Sequence, residues 1–153
     1  MSEASAWLLQ FDQGLSAAVG ERNMIHLLAD KPALFEIPQS PSYCRNVFIW
    51  QGGVLPLMDL PSRLLGRHSL SHGPLAVVAF QNYPGTKTQY GALLLNAPPT
   101  RIHVNDSQAC GLPDSLPGWR DLAIACFERG EQGPVPVLDL AKVFSLPIDG
   151  ISN

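Results

Sequence analysis

The sequence predicts an all-β chain built as two related halves, each curled into a small barrel. Three observations carry this. Fourteen prolines and thirteen glycines are spread along the 153 residues, and no segment between them keeps a helical apolar period for three turns, which argues against long helices. The pieces between these breakers are short runs rich in Val, Ile, Leu, Phe and Trp, the composition of strands. A repeat then ties the halves together: Gly53-Val54-Leu55-Pro56-Leu57-Met58-Asp59-Leu60 recurs as Gly133-Pro134-Val135-Pro136-Val137-Leu138-Asp139-Leu140, 80 residues later.

Taken in order, the strands expected in the first half are Trp7–Phe11, Leu15–Val19, Met24–Ala29, Val47–Trp50 and Val54–Leu60. The second half offers Leu75–Gln81, Tyr90–Leu95, Arg101–Val104, Leu122–Phe127 and Val135–Asp139, with the polar stretch Gly66–Gly73 between the halves. Ile25-His26 is echoed by Ile102-His103, 77 residues on, so a second pair of equivalent positions follows in the same order. Within the repeated unit, Pro56 and Pro136 remove a ladder donor and are expected on edges or bulges. Asp59 and Asp139 close their strands and can cap the next turn through a side-chain oxygen. Pro61 suits the first turn of a short helix and Gly66 its stop. Five short strands cannot cover both faces of an open sheet, and curling into a barrel buries one face and removes most edges. The barrels are expected over about residues 7–66 and 74–146, within one domain spanning 1–153.

Composition narrows the function. Hydrophobic residues make up 46% of the chain and charged ones only 15%, against about 25% charged in an average soluble domain. A surface thinly defended by charge mildly favours burial against partners. The net charge of −3, without a run of Lys or Arg, lacks the electrostatic footprint of nucleic-acid or anionic-membrane binding. Met1–Ala6 has neither the basic nor the apolar region of a signal peptide, and no apolar stretch is long enough to span a membrane. The three cysteines, Cys44, Cys110 and Cys126, show no CxxC spacing and read as buried reduced thiols of a cytoplasmic protein.

Catalytic chemistry finds little support. His68 and His72 are four apart but bracketed by Gly66 and Gly73, which reads as a solvated loop rather than a metal site. His26 and His103 suit structural roles. The sequence has no nucleophile elbow, phosphate-cradling loop or dinucleotide fingerprint, and Asp59 and Asp139 sit in separate repeat units, each better read as a cap than as half of a carboxylate pair. No enzyme activity, cofactor or metal is implied.

The gap-free segment from Ile37 to Leu60, Ile37-Pro38-Gln39-Ser40-Pro41-Ser42-Tyr43-Cys44-Arg45-Asn46-Val47-Phe48-Ile49-Trp50-Gln51-Gly52-Gly53-Val54-Leu55-Pro56-Leu57-Met58-Asp59-Leu60, resembles the signature of the CheW-like family. That signature is a proline, a short turn, an apolar strand, Arg-Gly, and an apolar–Pro–apolar–Asp–Leu strand. The resemblance implies two pseudo-symmetric five-stranded SH3-like β-barrels sharing an apolar core, with short helical turns. It also implies a non-catalytic chemosensory adaptor. Such an adaptor pairs with the regulatory domain of a CheA-type histidine kinase and holds the cytoplasmic tip of a chemoreceptor in a groove between its barrels. Related adaptors serve twitching-motility pathways.

This chain departs from the pattern at Gln51, where the family commonly has Arg, and at Leu27, where a family Glu can stand as that arginine's partner. On this resemblance a partner-binding groove edge is expected at Asn46, Phe48, Trp50, Gln51 and Gly52, and a kinase-facing strand edge at Ile25 and Leu27. Phe48 and Trp50 share a strand face, so core and interface remain equally open for that pair. Gln51, on the other face, is the better surface candidate. A regulator that binds the kinase without holding a receptor, and a small β-barrel enzyme or ligand-binding protein, are the competing readings.

Overall fold

The computed structural model describes residues 3–12, 14–66, 73–114, 116–130 and 133–145. Among these residues eleven strands and two short α-helices follow one another, with four short 3-10 helices between them. In the first half these are β1 (Glu3–Asp12), β2 (Leu15–Gly20), β3 (Met24–Leu28), β4 (Phe35–Glu36), β5 (Asn46–Trp50), β6 (Gly53–Met58) and α1 (Leu60–Leu65). The second half contributes β7 (Leu75–Gln81), β8 (Thr88–Leu94), β9 (Thr100–Asn105), β10 (Ala123–Glu128), β11 (Pro134–Leu138) and α2 (Leu140–Val143). All ten strands expected from the sequence are present. The addition is β4, whose two residues pair Phe35 with Val47 and Glu36 with Asn46, too short a run to leave an alternation signal.

The strands form a five-stranded sheet in the order β10-β11-β2-β1-β9 and a six-stranded sheet in the order β3-β7-β8-β6-β5-β4. Neither sheet follows the halves of the chain, so the expected barrel limits of 7–66 and 74–146 do not match the sheets. The hairpin β1–β2 of the first half sits between β9 and β11, and the hairpin β7–β8 of the second half sits between β3 and β6. The repeat is real: each half runs as hairpin, single strand, strand pair and helix. Each sheet combines the hairpin of one half with the remaining strands of the other. Because the two hairpins are equivalent in pattern, the sequence gives no sign of the exchange.

Packing explains why the hairpin strands read as continuous apolar runs. In β7, Leu75 and Val77 face the interior of the six-stranded sheet, while Ala76, Val78 and Phe80 face the opposite way. In β1, Ala6 and Leu8 fill the five-stranded sheet, while Leu9 and Phe11 face out of it into the same central cluster as Val78 and Leu93. The two sheets thus share an apolar core across their hairpins, each strand of which is buried on both faces. Closure is visible at the edges. The segment after β9 bridges to β10 through Ala109 and Phe127, and in the other sheet the His26 ring on edge strand β3 lies 5.9 Å from the Trp50 ring on β5.

The repeated motif behaves alike in both halves. The Asp59 carboxylate accepts a bond from the Ser62 amide at 3.2 Å, and that of Asp139 from the Lys142 amide at 3.4 Å. Both strands therefore end one or two residues earlier than expected, at Met58 and Leu138, and the aspartates serve as helix caps. Gly66 ends α1 in the left-handed region at φ 74°. The backbone amides of Asp59 and Asp139 donate to the carbonyls of Tyr43 and Leu122 at 2.7 and 2.8 Å, another pair of matching bonds. Pro56 and Pro136 lie on interior strands rather than edges. Their parallel ladders to β8 and β2 begin only at Leu57 and Val137, so the missing N–H precedes the ladder. Asp59→Ala and Asp139→Ala should each cost about 1 kcal/mol of stability, measured by urea unfolding. A loss below a few tenths for both would remove the capping role.

Candidate functional site

The β5–β6 hairpin turns in two residues. Trp50 pairs with Gly53, and the intervening Gln51 and Gly52 have φ of 49° and 80°. Positive φ at both central residues is the pattern of a type I′ turn, which matches the twist of the flanking strands. Glycine takes this conformation freely, whereas Gln51 holds it with a Cβ. Gln51 is thus the exposed tip of a turn rather than the outward face of a strand.

The structure separates the residues of the expected groove edge. Phe48 is fully buried, 0% exposed, in the interior of the six-stranded sheet with Leu55, Leu57 and Leu75. It cannot touch a partner and acts only by supporting the surface above it. Asn46 lies at the opposite end of β5, paired with Glu36 and Leu57, about 13 Å along the strand from Trp50. There it borders a separate cleft of about 240 Å³ together with Lys31, Glu36, Arg45 and Asp59. Only Trp50, Gln51 and Gly52 stay together at the hairpin tip. Trp50 is half-buried, and its ring sits between those of His26 at 5.9 Å and Tyr90 at 6.3 Å.

His26 joins the two candidate regions. It lies between Ile25 and Leu27 on β3, which is an edge of its sheet and has no ladder partner but β7 among the described residues. Ile25 is exposed, while Leu27 packs partly against the shared core. Ile25, His26 and Leu27 line a cleft of about 300 Å³ with Trp7, Met24, Pro98 and Pro99. Trp7 belongs to the five-stranded sheet and the prolines precede its edge strand β9, so this cleft lies between the sheets. Apart from His26 its walls are apolar, with no Asp, Glu, Lys or Arg among these residues. The surface from the cleft across His26 and Trp50 to Gln51 is therefore continuous. His26 and His103 occupy equivalent repeat positions but differ in surroundings: His26 faces Trp50, while His103 bonds Ser5 through Nδ1 at 3.1 Å.

Nothing in this region assembles a reaction centre. Among the described residues no group of three or more His, Cys, Asp or Glu side chains could hold a metal ion, and the His68–His72 pair lies outside the described residues. No helix among them is long and apolar enough to cross a membrane. The Cys44 thiol is buried beside Arg63; burial pushes it up to about 11, and the nearby cation only partly offsets this. A nucleophilic thiolate at neutral pH is therefore absent there.

No curated protein matches the chain. Among solved structures, the scaffolding protein TtCheW from Thermoanaerobacter tengcongensis superposes with a TM-score of 0.74 at 11% identity, over 95% of this chain and 95% of that one. At that identity the likeness establishes the fold, two sheets arranged as in SH3-like double barrels. The family model of the CheW-like domain matches residues 23–147, which runs from the start of β3 past the end of α2 and includes the hairpin tip and the β3 edge. On that match the chain belongs to the CheW-like domain family, whose members are non-catalytic adaptors.

Proposed function

We propose that the protein is a cytoplasmic chemosensory adaptor that couples a CheA-type histidine kinase to a chemoreceptor. The observation that carries this reading is the continuous surface of a strand edge, an apolar inter-sheet cleft and the exposed hairpin tip, on a chain of adaptor family. The edge of β3, with no second ladder partner among the described residues, offers its backbone to a partner strand. The cleft offers apolar walls to a partner segment, and Gln51 projects beside both. Ile25, Leu27, Trp50, Gln51 and Gly52 are the contact residues of this reading, with Phe48 beneath them; Asn46 lies at the far end of β5.

A kinase-only regulator is the second reading, and one specific observation favours it. Gln51 and Leu27 are both uncharged, so any receptor contact that relies on an ion pair at these positions is lost as a pair. The full chain, titrated separately with the kinase regulatory domain and with a receptor-tip fragment, distinguishes the two. Micromolar binding, about −8 kcal/mol, to both partners supports the coupling adaptor. Binding to the kinase alone supports the regulator, and binding to neither at high concentration overturns both.

Gln51→Asp tests the hairpin tip. Aspartate tolerates positive φ, so thermal stability should change little while partner affinity falls about tenfold, near 1.4 kcal/mol. A fall in melting temperature alongside binding would make residue 51 a structural turn position instead. Gln51→Trp is a poorer probe, because a bulky side chain at that φ adds strain of its own.

A further inference from the structure

Two of the three cysteines, far apart in sequence, meet on the five-stranded sheet. The bridge between Ala109 and Phe127 is antiparallel, so the register sets Cys110 directly opposite Cys126. The Cys110 amide donates to the Cys126 carbonyl at 3.0 Å. Directly opposed residues put their side chains on one face, and the Cys110 thiol is near enough to help push that of Cys126 up. Opposed residues of an antiparallel pair have their Cα atoms about 4.5–5.5 Å apart, inside the span of roughly 4.4–6.8 Å that a disulfide bridges. Both thiols are free, Cys126 buried and Cys110 half-buried. Cys44 lies in the shared core and belongs to neither strand of this pair.

We propose that Cys110 and Cys126 are a redox-controlled pair that closes the five-stranded sheet covalently when a low-molecular-weight disulfide oxidises them. The half-exposed Cys110 reacts first. Its thiolate attacks the external disulfide, forming a mixed disulfide and expelling one thiolate. Cys126 then loses its proton and attacks the Cys110 sulfur, expelling the second thiolate and leaving the Cys110–Cys126 bond. The two protein thiols are oxidised by two electrons, the external disulfide is reduced to two thiols, and the two protons pass to those leaving groups. Burial, and then the Cys110 thiol, push the Cys126 thiol up to about 12, so the second step is slow at neutral pH and faster in alkali. The product clips the segment after β9 onto β10, fixing by a covalent bond the closure now made by backbone bonds. It also ties down the intervening stretch that carries Trp119 and Leu122 into the shared core.

The test uses the full chain with glutathione disulfide at a graded ratio to glutathione, followed by intact mass, peptide mapping and melting temperature. The expected result is a loss of two hydrogens, a crosslinked peptide pair containing Cys110 and Cys126, and a melting temperature higher by roughly 5–10 °C. Dithiothreitol should reverse all three. Cys44→Ser should behave like the parent, and Cys110→Ser, a half-exposed substitution that spares the core, should lose both the crosslink and the shift. A glutathione adduct that persists on Cys110, a crosslink through Cys44, or a crosslinked form that melts no higher would each overturn the proposal.

Discussion

Fragments 1–66 and 73–153, produced separately, should each fail to unfold cooperatively, and mixing them should restore the transition of the intact chain. The exchange of hairpins dictates this. Without β9 and β11, the first fragment's β1–β2 hairpin has no neighbour on either side, and without β7–β8 its β3 has no partner at all. A lone hairpin is marginal in water at best. The shared core is divided as well, with Leu9 and Phe11 on one fragment and Val78 and Leu93 on the other. Each fragment therefore forfeits the whole folding free energy, typically about 5–15 kcal/mol. Circular dichroism during denaturant titration reads the result. A sharp transition from either fragment alone would show that a half can build its own sheet, and the interlocked arrangement would be wrong.

Phe48→Ala should lower stability by about 3–5 kcal/mol, a fall of roughly 6–20 °C in melting temperature. Phe48 is one of the largest fully buried side chains, seated among Leu55, Leu57 and Leu75, and its removal leaves a cavity that rigid strands cannot close. Partner binding should weaken only as far as the unfolded population grows, so at a temperature well below the lowered transition the affinity should stay near that of the parent. That sets it apart from Gln51→Asp, where affinity falls and stability holds. If Phe48→Ala left stability within 1 kcal/mol but abolished binding, the side chain would have to reach the surface, contrary to its position in the structure.

The strands were legible because the prolines and glycines isolate them and because apolar content fills what lies between. The caps were legible for a similar reason: an Asp followed by a Leu and a short apolar run carries its own local physics. Strand β4 was not, since Phe35-Glu36 are two residues with no period to read. The composition of the two sheets was not legible either. Hairpin exchange changes which strands pair while leaving every local pattern intact, and both hairpins are buried on both faces.

The candidate site divides along the same line. Alternation put Phe48 and Trp50 on one face of β5, and they do share it. The depth at which each lies depends on where along the strand the barrel opens, and that places Phe48 inside and Trp50 at the mouth. Gln51 read as surface and is surface, although at a turn position that only the pairing of Trp50 with Gly53 reveals. The pairing of Cys110 with Cys126 rests on an irregular segment after β9, outside any strand the sequence could mark.

The exchange of hairpins also sets a timetable for synthesis. The β1–β2 hairpin leaves the ribosome well before its lateral partners β9 and β11 are translated. At about 5–20 residues per second, the hairpin waits for several seconds or more with Leu9, Phe11 and Val19 uncovered. During that interval it is a free-edged, two-faced apolar ribbon, the form of chain that chaperones retain and that neighbouring nascent copies can capture.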